Sequence, residues 1–330
     1  MGPYVVRDLQ GRGHTVAALH RGRRTASLPA GVQHIIGDCG QIAEQRENIT
    51  HFGPDVIIHF ILSSGRQAEA VMQNLRGLTG RIVVLSSMDV YRAVGVTFGT
   101  EPGPLEPLPL TEESPVRTRK HAEPPILEGL RKIFEWVDED YDKVPVERVV
   151  LGDAQLPGTV LRLPMVYGPG DPLHRFYPIV KRVQDGRRKI IFSEEAAAWR
   201  CPRGYVENVA VAIALAAVSE RAAGRIYNIA EWPAYSELEW SQKITTEMHW
   251  EGEFVLLPAV RTPKHLASPG NAAQHWVASS ERIRKELGYR EPVALEEAIT
   301  QTTAWEKVNP PTGATFFQFD YEAEDAALAA

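Results

Sequence analysis

Cysteine is scarce in this 330-residue chain, which holds only Cys39 and Cys201. Two thiols make neither a disulfide framework nor, by themselves, a zinc site, and a reducing cytoplasm is the default expectation. The ten histidines are scattered, without an HExxH or paired spacing, so no metal is expected. Basic runs are short, RGRR at 21–24 and RTRK at 117–120, against a formal net charge of −6. That balance argues against nucleic acid or an anionic membrane surface as a partner. No apolar run reaches the length of a membrane span, and no signal peptide is expected from the opening residues. What remains, 44% hydrophobic and 24% charged, describes a soluble globular chain with enough residues for one large domain or two modest ones.

What is present is alternation. Short Val/Ile-rich runs at HTVAALHRG, QHIIG, DVIIHFIL (55–62) and GRIVVLSS (80–87) predict strands, with helices predicted between them over 42–52 and 67–78. Near-continuous apolar strands separated by ordinary helices indicate an α/β chain with a parallel sheet covered on both faces. The pattern dissolves over 100–139, where EPGPLEPLPLTEESP and HAEPP are too rich in proline for an element interior. It resumes with a helix over 144–151 and then with GTVLRLPMVYGPGD, a buried strand that delivers a rigid loop at its carboxyl end. In open α/β sheets ligands bind in the crevice beyond those ends. Further on, helices are predicted over 174–184, 205–221, 236–248, 279–289 and 295–308, and strands at 190–193, 224–230 and 254–257. The acidic FDYEAEDAALAA ending is expected to be disordered.

The opening departs from this order. Pro3 suits a first helical turn, and Val5, Val6 and Leu9 give that helix an apolar face. A dinucleotide-binding unit opens instead with a strand and a glycine-rich phosphate loop. The expectation is therefore that the natural protein starts upstream of Met1.

LRLPMVYGPGD, RGYVENVAVAI, GRIYNIAE and SSERIRKELGY stand in the order and rough spacing of the extended short-chain dehydrogenases/reductases, the NAD(P)-dependent epimerase/dehydratase family, which the chain resembles from Gly2 to about Trp305. The resemblance implies a Rossmann-type doubly wound parallel sheet, with a smaller mixed α/β C-terminal domain for the substrate. The cofactor domain would span 1–163, with 204–230 returning to it; the discontinuous substrate domain would span 164–310, and the tail 311–330. It also implies NADP or NAD as cofactor, a small-molecule substrate such as a sugar nucleotide, and a homodimer.

Residue by residue, Ser87 in LSSMDVY occupies the slot of the family's catalytic serine or threonine. Lys143, with Glu147 downstream, fits the family's lysine, but the tyrosine four residues before it is missing, since Glu139 stands there. Tyr141 can replace it only if the segment is extended, because i and i+2 then share a side; this requires the helix to begin at Val144 or later. Met1-Gly2 matches the end of the phosphate loop, and Asp38 matches the aspartate that bonds the adenine amino group. Arg21, where an acidic residue would select NAD, favours the 2′-phosphate of NADP. Phe60 stands where the family often has alanine beside the cofactor, and Leu163 and Pro164 would lie against the nicotinamide. Tyr167 and Arg203 are the substrate-side candidates, Arg203 by its match to an arginine that binds a diphosphate. Each of these has a plainer reading as well: Ser87 and Asp38 as caps, Tyr141 as a surface residue at a helix entry, Arg203 in an ion pair with a carboxylate such as Glu207. The alternative function is a dinucleotide-binding protein on this scaffold without redox chemistry.

Overall fold

The apolar runs form strands, and every strand pairing is parallel. In the computed structural model, which describes residues 1–22, 28–120, 124–268 and 270–329, β1 (Ala17–His20) pairs with β2 (Gln33–Ile36). A four-stranded sheet runs β3 (Val56–His59), β4 (Arg81–Ser87), β5 (Gly158–Leu163), then β9 (Ile226–Asn228). Two further pairs join β6 (Met165–Tyr167) to β8 (Arg203–Tyr205), and β7 (Lys189–Ser193) to β10 (Glu253–Leu257). Among the described residues β1 pairs only with β2 and β3 only with β4, so each carries one edge without a ladder partner.

The period of two in the strands sorts side chains onto two faces. Val83, Leu85 and Leu161 pack with Val5 and Leu9 of the helix Gly2–Gly11 and with Val209 and Ile213 of the helix Val206–Val218. On the other face Ile82, Val84 and Val160 meet Val71 and Leu75 of the helix Gly65–Leu75 and Val146 of the helix Lys143–Leu151. Gly65 permits that last contact: a Cβ there would stand 2.9 Å from Pro145 Cβ. Buried Arg81 donates to the carbonyls of Ala216 (2.7 Å) and Ala217 (2.5 Å), a cation at the carboxyl end of the helix Val206–Val218.

The predicted strand over 55–62 stops at His59, and the helix predicted over 42–52 is divided into a 3-10 turn, Cys39–Gln45, and the helix Arg46–Phe52. Residues 60–62 thus leave the ladder and form a loop at the sheet's carboxyl edge. A second core, built from Tyr167, Phe176, Tyr205 and Trp240, gathers the helices Tyr177–Gln184, Glu237–Glu247 and Leu295–Val308. The expectation of a disordered tail is corrected, since Tyr321–Ala329 is a helix. Its Glu324 is fully buried, accepting from Arg182 at 2.6 Å and lying 3.0 Å from His265. Acidic composition read alone hides such a buried partner. Among the described residues no helix is long and apolar enough to cross a membrane, and no group of three or more His, Cys, Asp or Glu could hold a metal ion.

Candidate active site

β4 ends at Ser87, in register with Leu163 of β5, so both residues reach the same carboxyl edge. The chain then turns through 88–90, and Ser87 Oγ accepts the Asp89 N–H at 3.2 Å. Tyr141 donates its hydroxyl to Asp89 Oδ2 at 3.1 Å. Ser87 and Tyr141 therefore meet on one aspartate. Asp89 lies inside the Ser-x-x-Val-Tyr run and escaped the sequence reading, although an acid in that run was the signal for it. Its Oδ1 is buried and has no hydrogen-bond partner, a state that is rare for a carboxylate oxygen.

The helix predicted from Val144 opens one residue earlier, at Lys143, so the condition set for pairing Tyr141 with Lys143 is missed by one residue. Its cap Asp142 is extended (φ −162°, ψ 124°) and accepts the Val144 N–H at 3.0 Å. Tyr141 and Lys143 flank that extended residue, and Lys143 Nζ stands 6.0 Å from the centre of the Tyr141 ring. Lys143 is buried and donates to the carbonyls of Leu62 and, at 3.3 Å, Leu85. Its ammonium also lies 5.0 Å from the Trp136 ring centre, a cation–π distance. Burial draws the Lys143 pKa down to about 8, so the ammonium is still the main form at neutral pH. Burial first, and then the Asp89 charge, hold the Tyr141 phenol well above its ordinary value. The hydroxyl therefore keeps its proton in this arrangement.

Below this group a buried network sets the helix. Glu147 is forked by Arg162 (2.7 Å) and accepts from Ser86 Oγ at 2.6 Å. Tyr91, the tyrosine of the Ser-x-x-Val-Tyr run, is fully buried beneath the Arg162 guanidinium (4.8 Å) and donates to Asn228 Oδ1 at 2.7 Å.

The proline-rich excursion returns across the sheet's carboxyl edge as a strap over 134–142. Glu135 pairs with Arg21 at 2.8 Å. Asp138 accepts from Ser63 Oγ (3.1 Å) and Ser64 Oγ (2.6 Å), Trp136 covers Lys143, and Tyr141 reaches Asp89. One segment so touches the exits of β1, β3 and β4. Arg21, the 2′-phosphate candidate, is therefore engaged by a carboxylate. Asp38 accepts the Gly40 N–H at 2.9 Å and caps the 3-10 turn, its plainer role. Gly2 is the first residue of the opening helix, with Met1 as its cap. Phe60 packs on the core that contains Leu163, and Pro164 is buried beside them in sequence.

The substrate-side expectations change most. Tyr167 is a core aromatic, 1% exposed, stacked on Phe176 at 5.2 Å with its hydroxyl donated to Glu231 at 3.1 Å. Arg203 is buried over Trp240 and bonds both Glu237 oxygens at 2.7 Å. The ion pair weighed in the sequence exists, with Glu237 rather than Glu207. The Arg203 Nε is left without a partner.

Residues 141–230 match the model of the NAD dependent epimerase/dehydratase family. An uncharacterized protein, y4nL, of Sinorhizobium fredii (strain NBRC 101917 / NGR234) is 25% identical over 334 residues, covering 92% of this chain and 86% of its own. The Bordetella bronchiseptica enzyme WbmG, solved in complex with NAD, superposes with a TM-score of 0.66 at 15% identity, covering 96% of this chain and 92% of its own. UDP-glucose 4-epimerase of Thermotoga maritima, solved with UDP-glucose, gives 0.64 at 17%, covering 92% and 94%. These likenesses carry the fold.

Proposed function

We propose that this chain, an extended short-chain dehydrogenase/reductase by its fold and by the family match over 141–230, is an NAD(P)-dependent enzyme that carries out a hydride-mediated epimerisation, dehydration or carbonyl reduction on a small molecule. The observation that carries the reading is the convergence of Ser87 and Tyr141 on Asp89, with Lys143 Nζ 6.0 Å from the Tyr141 ring centre. Residues 1–163, with 204–230 returning to them, would supply the cofactor half.

The residues fit a nicotinamide dinucleotide at its reactive end. Asp89 Oδ1 is a buried acceptor without a donor, and Lys143 and Leu163 stand at the same sheet edge. Lys143, Leu163 and Pro164 would hold that end, and Arg21 the adenosine end once released from Glu135. When bound, the dinucleotide supplies or takes up the hydride. Ser87 Oγ accepts the Asp89 N–H, and a hydroxyl that accepts can also donate its own proton, here to a substrate oxygen. Tyr141 would give the proton that this oxygen gains in reduction by turning its hydroxyl from Asp89 Oδ2, to which it is now donated, to the substrate oxygen. The Lys143 charge favours the phenolate left behind.

A protein that binds the dinucleotide without redox chemistry is the second reading. The Tyr141 phenol, held well above its ordinary pKa, favours it. One experiment separates the two: titrate NADPH and NADH by cofactor fluorescence, then follow cofactor oxidation with a panel of carbonyl compounds. Binding with turnover that Tyr141→Phe abolishes supports the enzyme. Binding without turnover supports the second reading, and no binding removes both.

A further inference from the structure

Between the helix Tyr177–Gln184, β7 and the 3-10 turn Lys264–Leu266 lies a cavity of about 320 Å³. Its volume falls at the small end of the range of small-molecule sites. Phe98, Ile191, Phe192, Trp199 and Trp276 supply much of its wall. The two indoles meet edge to face at 4.8 Å. Their N–H groups are already used within the protein, Trp199 Nε1 on the Gln274 carbonyl at 3.0 Å and Trp276 Nε1 on Thr97 Oγ1 at 2.8 Å. What they offer the cavity is ring surface.

Two charged residues line it, Arg182 and Glu237, and both are committed. Arg182 is 3% exposed, bonds Glu324 through Nε (3.3 Å) and Nη2 (2.6 Å), and gives Nη1 to the Pro178 carbonyl at 2.9 Å. Glu237 accepts Arg203 on both oxygens at 2.7 Å. A phosphate or carboxylate entering here would lose its hydration and find the Arg182 guanidinium already held by buried Glu324 and that of Arg203 by part-buried Glu237. An uncharged apolar ring loses little hydration and gains contact with four aromatic side chains.

We infer that this cavity is a binding site for an uncharged, apolar ring or chain and not for a nucleoside-diphosphate sugar, independently of the function proposed above.

The test is calorimetric titration of the full chain, without cofactor, with 2-naphthol and with UDP-glucose. The expected result is saturable 2-naphthol binding that Ala196→Phe, which fills the cavity, weakens about tenfold or more, with no heat from UDP-glucose. Leu266→Phe fills the same space from another wall and serves if the first variant does not fold, as judged by its melting curve. Glu237→Gln frees a cation beside the cavity and is expected to make UDP-glucose binding measurable. UDP-glucose binding by the unmodified protein that either filling variant weakens would overturn the inference, as would 2-naphthol binding unchanged by both or absent. Because no hydride transfer is read, failure here leaves the cofactor and turnover experiment standing, and the reverse also holds.

Discussion

Two regions of the molecule, the β4 cluster and the second core, treat charge in different ways. Around β4 a buried carboxylate oxygen, Asp89 Oδ1, has no donor, and the Lys143 ammonium bonds backbone carbonyls and faces aromatic rings, with the charges of Asp89 and Glu147 acting on it. Around the second core, Arg182 is forked onto Glu324, and Arg203 gives one nitrogen, Nη2, to both oxygens of Glu237. Unsatisfied polar capacity is costly in a folded interior; it persists at the strand ends in Asp89 Oδ1 and, in the second region, in Arg203 Nε and Trp240 Nε1. In the other region each buried guanidinium has its charge balanced by a carboxylate. The difference separates a place built for proton movement from one built for shape.

The largest effect that could break this comparison is on turnover. Lys143→Met is expected to lower kcat about 10²–10⁴-fold, the usual range for loss of an acid–base group. Asp89→Asn, which keeps the shape, should fall in the same range if Asp89 directs the Tyr141 proton. Steady-state cofactor oxidation reads both, and an unimpaired Asp89→Asn would reduce Asp89 to a turn residue. Next comes stability in the second region: Glu324→Ala leaves Arg182 buried and unpaired and should cost about 3–5 kcal/mol in urea unfolding. A loss under about 1 kcal/mol would mean that the tail helix does not dock in solution.

A smaller effect should appear with pH. The Lys143 pKa is lowered to about 8 in the fold from an ordinary 10.5, so between these values the unfolded chain holds more protons than the folded one. Stability from this residue therefore rises with pH across that window, while a rate that needs the ammonium falls above about pH 8. Lys143→Met should flatten the first trend in equilibrium unfolding measured from pH 8 to 10.5. The smallest change is expected from Glu135→Gln, since an exposed pair contributes about 0–1 kcal/mol. Its melting temperature should barely move, while the NADPH dissociation constant should fall as Arg21 is freed. An unchanged constant would remove Arg21 from the cofactor site.

Strand-by-strand alternation was legible because buried parallel strands have a distinctive composition. GRIVVLSS and the helix 295–308 were placed nearly to the residue. Ser87 and Lys143 could be named because each sits at an element boundary, where chain direction limits what the side chain can reach. Asp89 could not, since its meaning comes from Tyr141, 52 positions later. Nor could the occupation of Arg21 by Glu135 and Arg203 by Glu237, because a sequence shows a charge without its partner. The tail failed for the same reason: Glu324 looks like solvent-facing acid until Arg182 is beside it.

The strap over 134–142 is fastened differently at its two ends. The Arg21–Glu135 pair has side chains 38% and 58% exposed, whereas Ser63 and Ser64, which hold Asp138, are buried. Mobile ions screen the first within about 8 Å at physiological salt and hardly reach the second. Salt thus loosens the strap at the β1 end and leaves it pinned over the β3 exit. Higher ionic strength is therefore expected to weaken the segment's hold at the β1 exit more than the buried serine contacts at the β3 exit.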